Sequence, residues 1–213
     1  MKTSDRFNNA EKPWLIIILF IGIYYALLYA FSYVMEYPAT YALIGVNGLV
    51  FLAIHLKKLK INDLCSSYYL SVKEKQSYRI MSSAFTHEHP LHILFNMYSL
   101  SNIGPALETL LGRHAFFASY LLLIIIAGRI SVALKKKKSP YTSSIGASGA
   151  ICGLMGILIS MIGIYNPYNL KYFLPTIALL ILMSFSKHID SVGHFCGLLT
   201  GIIMGFLMLN FMY

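Results

Sequence analysis

The chain has 213 residues, 57% of them hydrophobic and 12% charged, with 17 Lys and Arg against 8 Asp and Glu. Soluble domains carry roughly a quarter charged residues, so too little polar surface remains to cover a water-soluble globule. A formal charge of +9 raises nucleic acid as a partner, but nothing in the sequence resembles a nucleic-acid-binding fold. Basic loops of a membrane protein meet anionic headgroups instead.

The apolar residues fall in blocks of about 18 to 22, each long enough to cross a hydrocarbon core of about 30 Å. Seven spans are predicted, near 14–34, 38–56, 90–110, 114–134, 147–166, 169–186 and 192–212. The run from Trp14 to Val34 has no charge and no period-two alternation, which excludes a membrane β-barrel. The fold class is therefore all-α, a polytopic membrane helix bundle. The first block follows a mixed-charge stretch, exceeds a usual signal-peptide core and lacks a clear small-x-small cleavage site, so it reads as a retained helix. Two connections are long. Segment 57–89 is polar and basic with Tyr68, Tyr69 and Tyr78, and suits a helix lying in the interface. Segment 135–146 opens with Lys135 to Lys138.

Small residues recur at helical spacing in two spans. Gly149, Gly153 and Gly156 punctuate the fifth, and Gly193, Gly197, Gly201 and Gly205 fall every fourth residue along the seventh. Such stripes let membrane helices approach closely. Cys65, Cys152 and Cys196 form no disulfide framework or metal spacing and read as small buried hydrophobes.

Polar residues inside spans are costly, so each is a functional candidate. The fifth span begins with Ser148 in Gly146-Ala147-Ser148-Gly149-Ala150. The glycines allow a tight entry into the helix, and the unpaired N–H groups at its start suit a developing oxyanion. The seventh begins with His194, whose neutral imidazole can take a proton from a serine hydroxyl within about 3 Å. Spans five and seven run in the same direction, so the two residues start at one membrane face. His92 and Asn96, four apart on one helix face, start the third span at that same face. They are candidate donors to an oxyanion beside the N–H of Ser148, or an interhelical hydrogen-bond pair. His87-x4-His92 suggests metal only weakly, because no third ligand is evident. Asp190 reads as the N-cap of the last helix rather than a third catalytic member. Glu108 and Arg129 are expected to pair structurally or snorkel.

These residues resemble a family. Tyr78-Arg79, Ala84-Phe85-Thr86-His87 and His92-Ile93-Leu94-Phe95-Asn96-Met97 are similar to the rhomboid signature of an aromatic-Arg pair and H-x3-N. Gly104, Glu108 and Gly112 fit its G-x3-E-x3-G run. Gly146 to Ala150 resembles its nucleophile motif, and Ile189-Asp190 with His194, Gly197 and Gly201 its final helix. The resemblance covers about residues 38–212 and implies a six-helix core over 38–213, preceded by a tail and extra transmembrane helix over 1–37. It implies an intramembrane serine endopeptidase with Ser148 and His194 as a dyad. His92, Asn96 and the N–H of Ser148 would form the oxyanion hole, and segment 57–89 would lie partly in the outer leaflet. It further implies a multi-pass protein of the cell membrane that cuts single-span membrane proteins in or near their transmembrane helices, with no metal or cofactor required. Two positions depart from the pattern. Cys152 stands where many relatives have an aromatic packed on the catalytic His, and Tyr78 stands where Trp is frequent.

Charge and resemblance disagree about orientation. The N-terminus, segment 57–89, Lys135 to Lys138 and Lys187 share the face where Ser148 and His194 open, and basic loops collect in the cytoplasm. The resemblance implies an extracytoplasmic active site in bacterial members, and we adopt that reading. The functional rivals are an inactive rhomboid-like protein that binds or escorts membrane clients, and a small transporter, for which no convincing internal repeat is seen.

Overall fold

A computed structural model describes residues 14–137, 139–165, 167–184 and 190–212. The tail 1–13, Lys138, Lys187 and Ile189 lie outside the described residues. The elements in order are α1 (Trp14–Phe31), α2 (Pro38–His55), the short α3 (Ile61–Leu64), a π-helical turn (Tyr69–Lys73), α4 (Arg79–Ser83), α5 (Pro90–Leu111), α6 (Arg113–Leu134), α7 (Ser148–Tyr165), a 3-10 segment (Pro167–Phe173), α8 (Leu174–Ser184) and α9 (Ser191–Met212). Among the described residues the only β-type pairing is one isolated bridge, Ser66 to Ser144. Pro38–His55, Arg113–Leu134 and Ser191–Asn210 are long and apolar enough to cross a membrane, and Leu15–Phe31 and Ser148–Gly163 are shorter apolar helices. The molecule is a helical bundle with membrane helices.

The predicted span 169–186 is the one that changes character. It begins as the 3-10 segment and becomes α-helical only at Leu174. Pro175 explains the late start, because a proline without N–H is tolerated in a helix's first turn but not further in. α8 is joined to α5 by a hydrogen bond from Thr176 Oγ1 to Asn102 Oδ1 at 2.8 Å.

α1 docks on the bundle through aromatic contacts. Tyr24 stacks on Phe117 of α6 with ring centroids 3.5 Å apart, and Phe20 meets Phe85 at 5.1 Å. The start of α2 is held from a distance. The Glu108 carboxylate accepts from the N–H groups of Ala39 and Thr40 at 2.9 and 2.8 Å, and from the Thr40 hydroxyl at 2.8 Å. An anion there satisfies donors that a helix start leaves open and complements its dipole. Gly104, one turn earlier, makes the approach possible, since a Cβ there would lie 2.5 Å from Thr40 Cγ2. Glu108 is thus structural, as expected. Replacing it with Ala is expected to cost about 1–3 kcal/mol by leaving buried donors unpaired, read as a lower unfolding temperature in detergent; an unchanged temperature would count against the cap.

α7 and α9 form the closest helix pair. A Cβ on Gly197 would collide with the carbonyl oxygen of Gly149, and one on Gly201 with that of Gly153. Further along, a Cβ on Gly205 would lie 2.7 Å from Ser160 Cβ. Ser160 Oγ reaches across to donate to Ile202 O at 3.1 Å. The two glycine stripes therefore meet backbone to backbone.

The two long connections are joined as well. Ser66 and Ser144 exchange backbone hydrogen bonds of 3.1 and 2.7 Å, and Tyr69 N–H donates to Pro140 O at 2.9 Å. Arg79, only 1% exposed, organises the first connection by donating to the carbonyls of Asn62 and Cys65 at 2.8 and 3.1 Å. Its guanidinium lies 5.5 Å from the Tyr78 ring centroid.

Candidate active site

The N-terminal ends of α5, α7 and α9 converge. Ser148, the first residue of α7, and His194, in the first turn of α9, are both buried, and Ser148 Oγ lies 2.7 Å from His194 Nε2. The glycine contacts explain the distance: bulkier residues at 197 and 201 would hold α9 away from α7.

His92 and Asn96 face the same point from α5. Gly146 has φ +104°, and a Cβ on it would sit 2.6 Å from His92 Nε2 and 3.6 Å from Asn96 Nδ2. Gly146 is required twice, for its backbone conformation and for the space the imidazole fills. Its N–H donates to Ser83 O at 2.8 Å, which ties the entry of α7 to α4. His92 and Asn96 thus pack against Gly146, two residues before Ser148, and Ser148 meets His194 at the helix start, where backbone N–H groups are left open.

His87 belongs to this cluster too. From the sequence it is a loop residue whose spacing to His92 suggests metal only weakly. It is fully buried, and its Nε2 lies 3.0 Å from Asn96 Nδ2 and 3.4 Å from the N–H of Ala147. A backbone N–H can only donate, so Nε2 is an acceptor and the ring is the neutral Nδ1–H tautomer. His87 therefore orients the Asn96 amide and the residue before Ser148. The signal in the sequence is the spacing H-x4-H-x3-N, one unit of three residues from His87 to Asn96.

Burial, reinforced by the nearby His92, pushes His87 down to about 3. The unfolded chain takes up this proton near the usual imidazole value of about 6.5, and the folded protein does not. The contribution to stability is complete above that value and is lost as pH falls from about 6.5 towards 3. Thermal unfolding against pH is expected to show this decline, and His87→Gln, which keeps an acceptor without the titration, to flatten it. Identical profiles would remove the assignment.

Asp190 precedes α9, and its Oδ1 accepts from Gly193 N–H at 2.9 Å, the N-cap expected from the sequence. Its Oδ2 has further partners that the sequence did not suggest. Ser144 Oγ donates to it at 2.7 Å, and Lys135 forms an ion pair with it. Burial opposes ionisation of Asp190, but Lys135 and the hydrogen bonds from Lys135, Ser144 and Gly193 outweigh it and hold the carboxyl below its usual range. Lys135 is 5% exposed: its aliphatic stem is buried and its ammonium is paired with Asp190 and Ser144. Arg129 is exposed. Cys65, Cys152 and Cys196 are buried free thiols.

A serine hydroxyl thus lies against an imidazole at one end of a bundle of apolar helices, beside a helix N-terminus. The family model for the Rhomboid domain matches residues 74–211, and the chain belongs to the rhomboid family. It is 28% identical over 184 residues to the putative rhomboid protease YdcA of Bacillus subtilis, covering 83% of this chain and 91% of that one. It is 33% identical over 144 residues to RHOMBOID-like protein 5 of Arabidopsis thaliana, covering 65% of this chain and 46% of the relative. With the mitochondrial Rhomboid protein 1 of Saccharomyces cerevisiae it shares 31% over 150 residues, 65% of this chain and 43% of that one. The chain therefore spans less than half the length of the plant and yeast relatives. Membership supports a protease at the level of the family.

Proposed function

We propose that this chain is an intramembrane serine endopeptidase acting through a Ser148–His194 dyad. The observation that carries this reading is the 2.7 Å approach of Ser148 Oγ to His194 Nε2, between two helices whose glycines let them pack backbone to backbone. Substrates are single-span membrane proteins in the cell membrane. A substrate helix approaches laterally and unwinds locally, because a helix hides its own carbonyls. An apolar groove between α7, α8 and α9, lined by Cys152, Met155, Ile177 and Leu180, ends at His194 and supports such a route.

In the first step Ser148 Oγ bonds to the scissile carbonyl carbon while its proton passes to His194 Nε2. The oxyanion is held by His92, Asn96 and the N–H of Ser148. Collapse breaks the C–N bond, and His194 returns the proton to the leaving amine. Water then attacks the acyl ester with His194 as base, freeing the carboxylate product and restoring Ser148. Asp190 is outside this proton path, since its carboxylate is engaged by Gly193, Ser144 and Lys135.

The orientation follows the same reading, with the site end extracytoplasmic. Two basic residues on that face, Lys135 and Arg79, are internal to the fold, which weakens the charge argument for the opposite orientation. The test is reconstitution of the full chain in liposomes with a single-span reporter, together with mapping of a fluorophosphonate adduct. Cleavage with the adduct on Ser148 is expected. Binding of the reporter without cleavage or adduct would favour the client-binding alternative.

A further inference from the structure

The ion pair behind the site has no part in the proton path, yet it connects every segment that carries the path. Lys135 follows the last turn of α6, and its Nζ donates to Ser144 Oγ at 2.6 Å as well as pairing with Asp190. Ser144 Oγ donates in turn to Asp190 Oδ2. Ser144 is two residues before Gly146 and is fixed to the first connection through its backbone pairing with Ser66. Ser66 Oγ accepts from Ser83 Oγ at 3.1 Å, and Ser83 O holds the N–H of Gly146. On the other side, Asp190 holds the first turn of α9, with its Oδ1 on Gly193 N–H and its carbonyl accepting from His194 N–H at 3.0 Å.

We infer that Lys135, Ser144 and Asp190 form a positioning clamp that sets the separation of His194 from Ser148; this rests on the dyad proposed above. The chemistry favours the assignment over a simple contribution to stability. A buried ion pair returns little net stability, because desolvation offsets attraction, but it resists rearrangement since either charge alone in that place is strongly penalised. The three groups also close a triangle, with Lys135 donating to both Ser144 and Asp190 and Ser144 donating to Asp190. That arrangement constrains angle as well as distance. One vertex is on the entry to α7 and another on the entry to α9, so a shift of either helix start breaks at least one bond of the triangle. Proton transfer between Ser148 and His194 is sensitive at this scale, where a misplacement of about 1 Å costs on the order of a hundredfold in rate.

The test compares variants in reconstituted full chain. Lys135→Met leaves Asp190 unpaired and is the harsher change, so the deciding variant is Lys135→Met/Asp190→Asn, which removes both charges together. It is expected to unfold within a few degrees of the wild type, to lose roughly 10- to 100-fold in kcat and to keep KM within about twofold, because nothing in the clamp touches substrate. Labelling of Ser148 by a fluorophosphonate slows in parallel. Lys135→Arg, which can still pair with Asp190, recovers most of the lost rate. A folded double variant with wild-type kcat and labelling rate would overturn the clamp while leaving the dyad intact. Failure of Lys135→Arg to exceed Lys135→Met, both being folded, would also overturn it. A wild type that neither cleaves nor labels at Ser148 would instead overturn the protease reading on which the clamp rests.

Discussion

Ser148→Ala is expected to abolish cleavage of a membrane-embedded reporter, by at least about a thousandfold. The change removes one oxygen, the atom that forms the bond to the substrate carbonyl, and nothing else at the site can replace it. Ser148 sits at the first position of α7 with its backbone among the open N–H groups of the helix start. Alanine fits there without displacing a neighbour, so the variant is expected to unfold within a few degrees of the wild type. His194→Ala should fall to the same floor, and the double variant no lower, because a nucleophile and its base act as one unit. Undiminished proteolysis in folded Ser148→Ala would remove the central proposal, whatever the geometry.

Gly201→Val is expected to damage both fold and activity. The first atom of the new side chain would lie 1.8 Å from Gly153 O, and backbone cannot rotate away as a side chain can. Overpacking against side chains costs about 1–3 kcal/mol, and here the obstacle is backbone, so the upper end of that range is the expectation. Because Ser148 and His194 belong to the two helices forced apart, proteolysis should fall with the unfolding temperature. Gly48→Ala is the control. Its Cβ would meet nothing within 4 Å, and alanine is the better helix former, so this variant should be neutral or slightly stabilised. A Gly201→Val variant with wild-type stability and rate would show that the two helices need not touch.

These two expectations rest on features of different legibility. The glycine stripes were visible as a spacing, and spacing is enough to predict a close interface because only backbone can lie where side chains are missing. The partner of each glycine was not visible. Similarly, the parity of the spans puts Ser148, His194, His92 and Asn96 at one membrane face; in the structure Ser148 meets His194, and His92 and Asn96 lie against Gly146 just before Ser148. The contact of His87 is not legible from spacing, because it depends on Ala147, sixty residues away in sequence. The break in the span 169–186 was missed because hydropathy sums over a window and ignores the missing N–H of Pro175.

Lys135 marks the boundary most clearly. Class, helix order and the shared face of the polar residues follow from the chain, since a bilayer demands long apolar helices and penalises each polar residue inside them. Which lysine of a run is buried cannot be read that way. Lys135, Lys136 and Lys137 have one chemistry, and only Lys135 has Asp190 and Ser144 within reach. Folding brings together residues 46 and 55 positions apart, and at that separation the chain imposes no geometry of its own. Pairing across such distances is decided when α6, α7 and α9 pack, because burying the lysine is tolerable only where a carboxylate is already waiting.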